Sequence, residues 1–242
     1  MTSGPELSSS SWFVGFRQAP PNKRMEPARP TVLCDHVAAA RGSFGTFGVK
    51  GGELMDTSAY SIAQLAGDLR EISAQTKDER EILSRARSLA RRAALARDSW
   101  LKPHMYEADA EQGFGVHLLH EEPDHTLAIF AVSWLPGRGT PPHDHGTWAL
   151  VAGVDGPEMN KFFERVDDQT RPGHAELKKT GEKVFGVGEV VAMPTGGIHI
   201  VWNETDKVTL SLHIYGKHIN FTGRSQFDQE KQTETPFVVK LA

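Results

Sequence analysis

The chain has 242 residues, 38% of them hydrophobic and 24% charged, with a formal net charge of −4. That length allows one substantial domain with extensions, or two small ones, and the charge gives no electrostatic case for nucleic acid or an anionic membrane as a partner. No apolar run approaches the ~20 residues that cross a bilayer, and the single cysteine, Cys34, excludes an intramolecular disulfide framework and fits a reducing, cytoplasmic setting.

In chain order, residues 1–45 read as a disordered N-terminal extension. The serine run Ser8 to Ser11 and the prolines Pro20, Pro21, Pro27 and Pro30 lie in a stretch too polar to build a core. No secretory apolar segment follows Met1, and Met25 and Met55 are alternative starts for the folded chain. Residues 46–110 are expected to form a helical segment packed on the strand-rich remainder of the chain. Ile62, Leu65, Leu69 and Ile72 recur at three and four residues and make one apolar stripe, with Thr57 or Ser58 as N-cap. A second helix is predicted from about Lys77 to Trp100, carrying Ile82, Leu83, Leu89, Ala93 and Leu95. Its arginines (Arg85, Arg87, Arg91, Arg92 and Arg97) alternate with alanines beside Asp78, Glu79, Glu81 and Asp98, and read as a solvated face.

Beyond Pro103 the pattern changes to strands. Gly115 to His120 and Thr126 to Val132 flank a turn at Pro123-Asp124. Further short strands are predicted at Trp148 to Val154, Val184 to Phe185, Val190 to Met193, Ile198 to Trp202 and Val208 to Ile214, with Phe237 to Val239 as a last one. Short, evenly spaced strands with Gly- and Pro-rich turns suit a barrel.

The chemistry concentrates in Pro141-Pro142-His143-Asp144-His145-Gly146 and in Pro194-Thr195-Gly196-Gly197-Ile198-His199. Side chains two apart on a strand point one way, so His143 and His145 present two imidazoles to one cavity. His199, from a distant strand, completes a facial set of three neutral ligands for a divalent metal, leaving other positions open as a catalytic site requires.

The surrounding residues carry a resemblance. Gly137, five residues, His143, one residue and His145 match the first half of the first cupin motif. Gly188, five residues, Pro194-Thr195-Gly196, two residues, His199, three residues and Asn203 match the second motif in full. The chain therefore resembles a cupin. The resemblance implies a mainly β fold over residues 111–242, a double-stranded β-helix or jelly-roll barrel with a C-terminal tail, preceded by the helical segment. Where most cupins carry a glutamate ligand this chain has Ala149 and Leu150, so three neutral histidines leave the metal more positive and favour an anionic co-ligand such as a thiolate.

A three-histidine site followed by Ser211-Leu212-His213-Ile214-Tyr215 is similar to the thiol dioxygenases, the cysteine dioxygenase and 3-mercaptopropionate dioxygenase group. Alternate positions on one strand let the serine hydroxyl, the imidazole and the phenol hydrogen-bond in a row. The likeness spans roughly Phe114 to Phe227, about half the chain. It implies Fe(II) held by His143, His145 and His199, catalytic roles for Ser211, His213 and Tyr215, and a small thiol and O2 as partners giving a sulfinic acid. Ungapped counting places His117 where the family's carboxylate-binding arginine stands. Leu150 takes the position of the cysteine that crosslinks to tyrosine in animal members, so no thioether to Tyr215 is expected. These departures point to the bacterial, mercaptopropionate-type branch. Arg138 and Arg165 are further candidates for a substrate carboxylate, and Trp148 reads as a barrel-wall aromatic. Two other readings stand beside this one: a metal-binding cupin without redox chemistry, acting as a sensor or binding module, and a cupin isomerase or lyase using Zn or Mn. The Ser-His-Tyr series argues against the first, and the missing glutamate against most of the second. Nothing in the chain sets an oligomeric state.

Overall fold

The computed structural model describes residues 59–242; the predicted disordered extension and the N-cap candidates Thr57 and Ser58 lie outside them. Helix α1 spans Ile62–Gln75, and its cap is Ser61. The Ser61 side chain accepts from the Gln64 backbone N–H while the Gln64 side chain accepts from the Ser61 N–H, a reciprocal capping box. The predicted stripe is its buried face: Leu65, Ala66, Leu69 and Ile72. Helix α2 spans Glu79–Leu95, capped by Asp78, which accepts from the N–H groups of Arg80 and Glu81. It is shorter than predicted, because Ala96 leaves the helical conformation and a 3-10 turn at Arg97–Ser99 follows. Its buried face is alanine-rich (Ala86, Ala90, Ala93, Ala94), which lets the helix approach a sheet closely. Not all of its arginines are solvated. Arg87 donates to the Val190 carbonyl at 3.0 Å, and just past the helix Arg97 donates to the Val154 carbonyl at 3.1 Å, pinning this segment to the barrel.

Ten strands come next: β1 Phe114–Glu121, β2 Ala128–Trp134, β3 Ala149–Asp155, β4 Glu158–Arg165, β5 Leu177–Phe185, β6 Val190–Met193, β7 Ile198–Trp202, β8 Thr209–Tyr215, β9 Ser225–Asp228 and β10 Thr233–Pro236. They form antiparallel sheets in the orders β1-β2-β8-β3-β6, β5-β4-β7 and β10-β9. The fold is mainly β with two helices before it, as expected of the cupin jelly roll.

The five-stranded sheet explains the continuous apolar runs. Every residue of β2 and β8 is buried, since both faces are covered. One face, with Ile129, Ala131, Leu150, Leu210, Leu212 and Ile214, packs under α1 and α2. The other, with Phe130, Val132, Trp134, Val151 and Tyr215, lines the barrel interior. A fully buried leucine such as Leu212 contributes roughly 1.5–3 kcal/mol by burial.

Three strand predictions need correction. Strand β4 has no counterpart among the predicted strands, because its alternation mixes charged and apolar residues over a partly buried surface. Strand β5 is nine residues long, not a fragment at its end; it is a sheet edge, and its lysines and glutamates face solvent on both sides. No strand forms at Phe237 to Val239. The last strand ends at Pro236, and Phe237 and Val239 bury their side chains in the barrel cluster as irregular chain. No helix among the described residues is long and apolar enough to cross a membrane.

Candidate metal centre and substrate cavity

The histidine loop is fastened on two sides. His143 exchanges backbone hydrogen bonds with His199 (N–H to carbonyl 2.9 and 3.0 Å), so two of the three imidazoles are set by one antiparallel pair. Asp144 points the other way and accepts from the Ser225 N–H at 3.0 Å, while its own N–H donates to the Ser225 carbonyl at 3.1 Å. Gly146 then turns the chain with φ +60°; a Cβ there would sit 2.8 Å from the Thr222 Cβ, so glycine is required on both counts.

His143, His145 and His199 are all buried, and one ring nitrogen from each lies within 4.8 Å of the other two. The hydrogen bonds decide which nitrogens converge. His143 Nδ1 lies 3.0 Å from the Pro141 carbonyl, and His199 Nδ1 lies 3.0 Å from Asn160 Oδ1. Each Nδ1 therefore carries a proton donated outward, leaving Nε2 with a free lone pair. His199 Nε2 and both nitrogens of His145 are buried without any hydrogen-bond partner. Burial first, then the neighbouring imidazoles and Arg224, hold His143 and His145 well below the ordinary histidine range. Burial, with Arg224 second, pushes His199 down to about 3. Orphaned, unprotonated nitrogens aimed at one point are a poor arrangement for a core and a good one for a divalent cation. The donor set fits the metal.

The series on β8 is continuous. Trp134 Nε1 donates to Ser211 Oγ at 3.1 Å, Ser211 Oγ lies 2.9 Å from His213 Nε2, and His213 Nδ1 lies 2.7 Å from the Tyr215 hydroxyl. The Tyr215 ring sits 5.1 Å from that of His145, centroid to centroid, so the series ends beside the histidine cluster. Burial raises the phenol well above its usual range and pushes His213 down to about 3, so both are neutral. Leu150 faces the helices, and the residue paired with Tyr215 across β3 is Ala149. Neither carries sulfur.

His117 is not brought to the site. Val116 lines the cavity, and its neighbour on the strand must face the other side of the sheet. There His117 Nε2 lies 2.9 Å from the Glu107 carbonyl, and its ring meets His104 edge-on at 6.0 Å. Counting residues without gaps ignores the pleat. Arg138 donates to the Glu111 carbonyl and Arg165 is paired with Asp167 and Glu234, so neither lines the cavity. Trp148 is buried in the outer core cluster, as a wall aromatic should be.

The residue that does enter the cavity is Arg224, which no sequence pattern singles out. It is 4% exposed and lines the cavity with His143, His213, Tyr215 and Phe237. Its Nε donates to the Phe237 carbonyl at 3.1 Å, and its guanidinium lies over the Phe237 ring at 4.2 Å. Nη2 is buried with no partner. Burial pulls the guanidinium down to about 10, opposed by Tyr215 and Asp144. A buried cation with an unsatisfied donor costs several kcal/mol unless an anion meets it. The cavity therefore carries a built-in demand for an anionic group beside the histidines. A lone arginine in a polar tail gives no local pattern; only its nine-residue spacing from Tyr215, through the 3-10 turn Ile219–Phe221, places it.

No family model matches the chain. Among solved structures it aligns with an oxalate oxidase (TM-score 0.38, 18% identity, 51% of this chain and 61% of that one). It also aligns with a cupin superfamily protein from Desulfitobacterium hafniense DCB-2 (0.33, 17%, 45% and 81%) and with the DMSP lyase DddQ from Ruegeria pomeroyi DSS-3 (0.37, 18%, 54% and 66%). The chain spans about three fifths of the oxalate oxidase chain it matches.

Proposed function

We propose that this protein is an iron-dependent thiol dioxygenase that converts a small mercapto-carboxylate such as 3-mercaptopropionate, with O2, into a sulfinic acid. The observation that carries the reading is the convergence of three buried imidazoles on one point, beside a cavity lined by His143, a phenol backed by a hydrogen-bonded series, and an unsatisfied buried guanidinium. His143, His145 and His199 would hold Fe(II), which when bound supplies the redox chemistry between O2 and sulfur. The balance is simple: RSH and O2 give RSO2H, with both oxygen atoms on sulfur and the proton leaving as the sulfinic acid ionises.

The chain's own residues do the rest. Arg224 takes the substrate carboxylate through Nη2, which fixes the distance of the thiol from the histidine cluster. Tyr215 presents a neutral hydroxyl to the same space, and the aromatic and valine side chains from β1 and β2 exclude water. Among the described residues that line the cavity none is acidic, which favours a plain mercapto-acid over an aminothiol whose ammonium would face Arg224 alone.

Oxygen uptake by anaerobically iron-loaded protein tests this, with 3-mercaptopropionate, l-cysteine, cysteamine and mercaptosuccinate as the panel. Uptake of about one O2 per sulfinate, lost in His143→Ala, is the expected result. Stoichiometric metal with no uptake from any thiol would instead favour a binding module without redox chemistry.

A further inference from the structure

The cavity beside the histidines is nearly full. Its free volume is about 20 Å³, room for a water or two, and a mercapto-acid needs several times that. Part of the wall must therefore move before Arg224 can meet a substrate. Most of the lining comes from β1, β2, β7 and β8, whose backbones are laddered into sheets. Phe237 and Val239 line the cavity from a segment that is not.

Residues 237–242 alternate as a strand would: Phe237 and Val239 are buried, Leu241 packs partly buried against the same cluster, and Val238 and Lys240 face solvent. In the middle of the run, two side-chain amides take the place of a ladder. Asn220 donates from Nδ2 to the Val239 carbonyl at 2.9 Å, and its Oδ1 accepts from the Val239 N–H at 3.1 Å. Gln112 grips the next residue in the same way, donating from Nε2 to the Lys240 carbonyl at 3.3 Å and accepting from the Lys240 N–H at 2.9 Å. At either side the backbone is tied once, Phe237 N–H to the Arg224 carbonyl and Ala242 N–H to the Val116 carbonyl, both at 2.9 Å. The Lys240–Asp109 ion pair is exposed and adds little. The same segment seats Arg224, whose Nε donates to the Phe237 carbonyl and whose guanidinium lies over the Phe237 ring. Displacing Phe237 thus opens space and frees the guanidinium together.

We propose that residues 237–242 are a strap that lifts from the cavity to admit substrate and closes over it, and that Gln112 and Asn220 are the positioning residues that latch it. Side-chain latches suit this task. A laddered strand leaves its neighbour's backbone groups unpaired when it departs, whereas an amide at a half-buried position turns to water about its own bonds. The latch holds the closed strap whether or not substrate lies beneath it. Weakening it therefore speeds entry and release by the same factor and leaves affinity unchanged. A residue that only shaped the site would change affinity instead. The trapping of a thiol rests on the thiol dioxygenase reading; the opening of the strap does not.

Amide hydrogen exchange on the full-length chain, resolved by residue in NMR, reads the opening. The N–H groups of Phe237, Val239, Lys240 and Ala242 should share one protection factor, at least about tenfold below that of the β8 amides. Gln112→Ala and Asn220→Ala should each speed all of them about tenfold and leave β8 unmoved. Protection equal to that of β8, or protection graded along the segment, overturns the proposal. The wild-type pattern decides by itself should a variant not fold. Stopped-flow binding of 3-mercaptopropionate to the Co(II)-loaded protein, followed by the absorption of a metal-bound thiolate, reads the gate. In either variant the association and dissociation rates should both rise about tenfold, with Kd within about twofold of the parent. A raised Kd with an unchanged association rate would overturn the latch. A strap that opens as one unit in a protein that binds no thiol would sink the dioxygenase reading and leave the strap standing.

Discussion

Arg224→Gln separates substrate binding from fold most sharply. In the parent, Nη2 is buried and unpartnered while Nε is already committed to the Phe237 carbonyl. A substrate carboxylate meeting Nη2 gains at least one buried charge-assisted hydrogen bond, about 2–3 kcal/mol. At 1.4 kcal/mol per tenfold, KM for 3-mercaptopropionate should rise by roughly 30- to 140-fold. Cysteamine has no carboxylate, so its KM should change by less than about threefold, a difference worth under ~1 kcal/mol. The free protein should not suffer in proportion. The variant loses one hydrogen bond and the stacking on Phe237, about 1 kcal/mol each, but it also removes a buried charge whose desolvation costs several. Its Tm should therefore match the parent or exceed it. Oxygen-electrode kinetics on both thiols and a thermal melt suffice. An unchanged KM for the acid, or equal increases for both thiols, would refute the assignment; a large fall in Tm would mean that Arg224 is a structural group.

Three further outcomes rest on the same geometry. Asn160→Ala leaves His199 Nδ1 without its acceptor, so the ring loses its fixed tautomer, and metal affinity measured by competition with a chelator should fall about 10- to 100-fold. Tyr215→Phe should retain the metal, since the phenol is no ligand, and lower kcat by about 10- to 100-fold through loss of one cavity hydrogen bond; parental turnover would remove the series from the mechanism. Glu158, a buried carboxyl on β4, also leaves a mark on stability. The native state keeps its proton up to about pH 8 while the unfolded chain releases it near 4.5, so the native state binds more protons and stability declines as pH rises through that window. The decline is at most about 5 kcal/mol from this group, and denaturant melts of Glu158→Gln should lack it; parallel curves for the two proteins would show that Glu158 is ionised at no cost.

The metal cluster and the Ser-His-Tyr series were legible in the chain because both are local. Ser211, His213 and Tyr215 need only a two-residue strand period to share a face; His143 and His145 come together on a loop that the His143–His199 bridge fastens, and the glycines and prolines around it mark its turns. The apolar stripe of α1 was legible for the same reason, since 3.6-residue periodicity is written in consecutive residues. His117 shows where this logic fails when misapplied: the period that unites Ser211 and His213 puts His117 on the face opposite to Val116, and counting from a distant motif overrides it. Strand β5 is underestimated by its sequence because an exposed edge carries lysine and glutamate where a buried strand carries valine. Arg224, Asn160 and Glu158 have no motif at all. Asn160 and Glu158 lie on β4 and Arg224 on the chain before β9, and what each of them meets exists only because the barrel closes and brings β4, β8 and the chain before β9 around one dry space. Spacing along the chain determined which imidazoles could point together; closure of the barrel alone decided which charges they would meet, because burial removes the water that would otherwise have satisfied them.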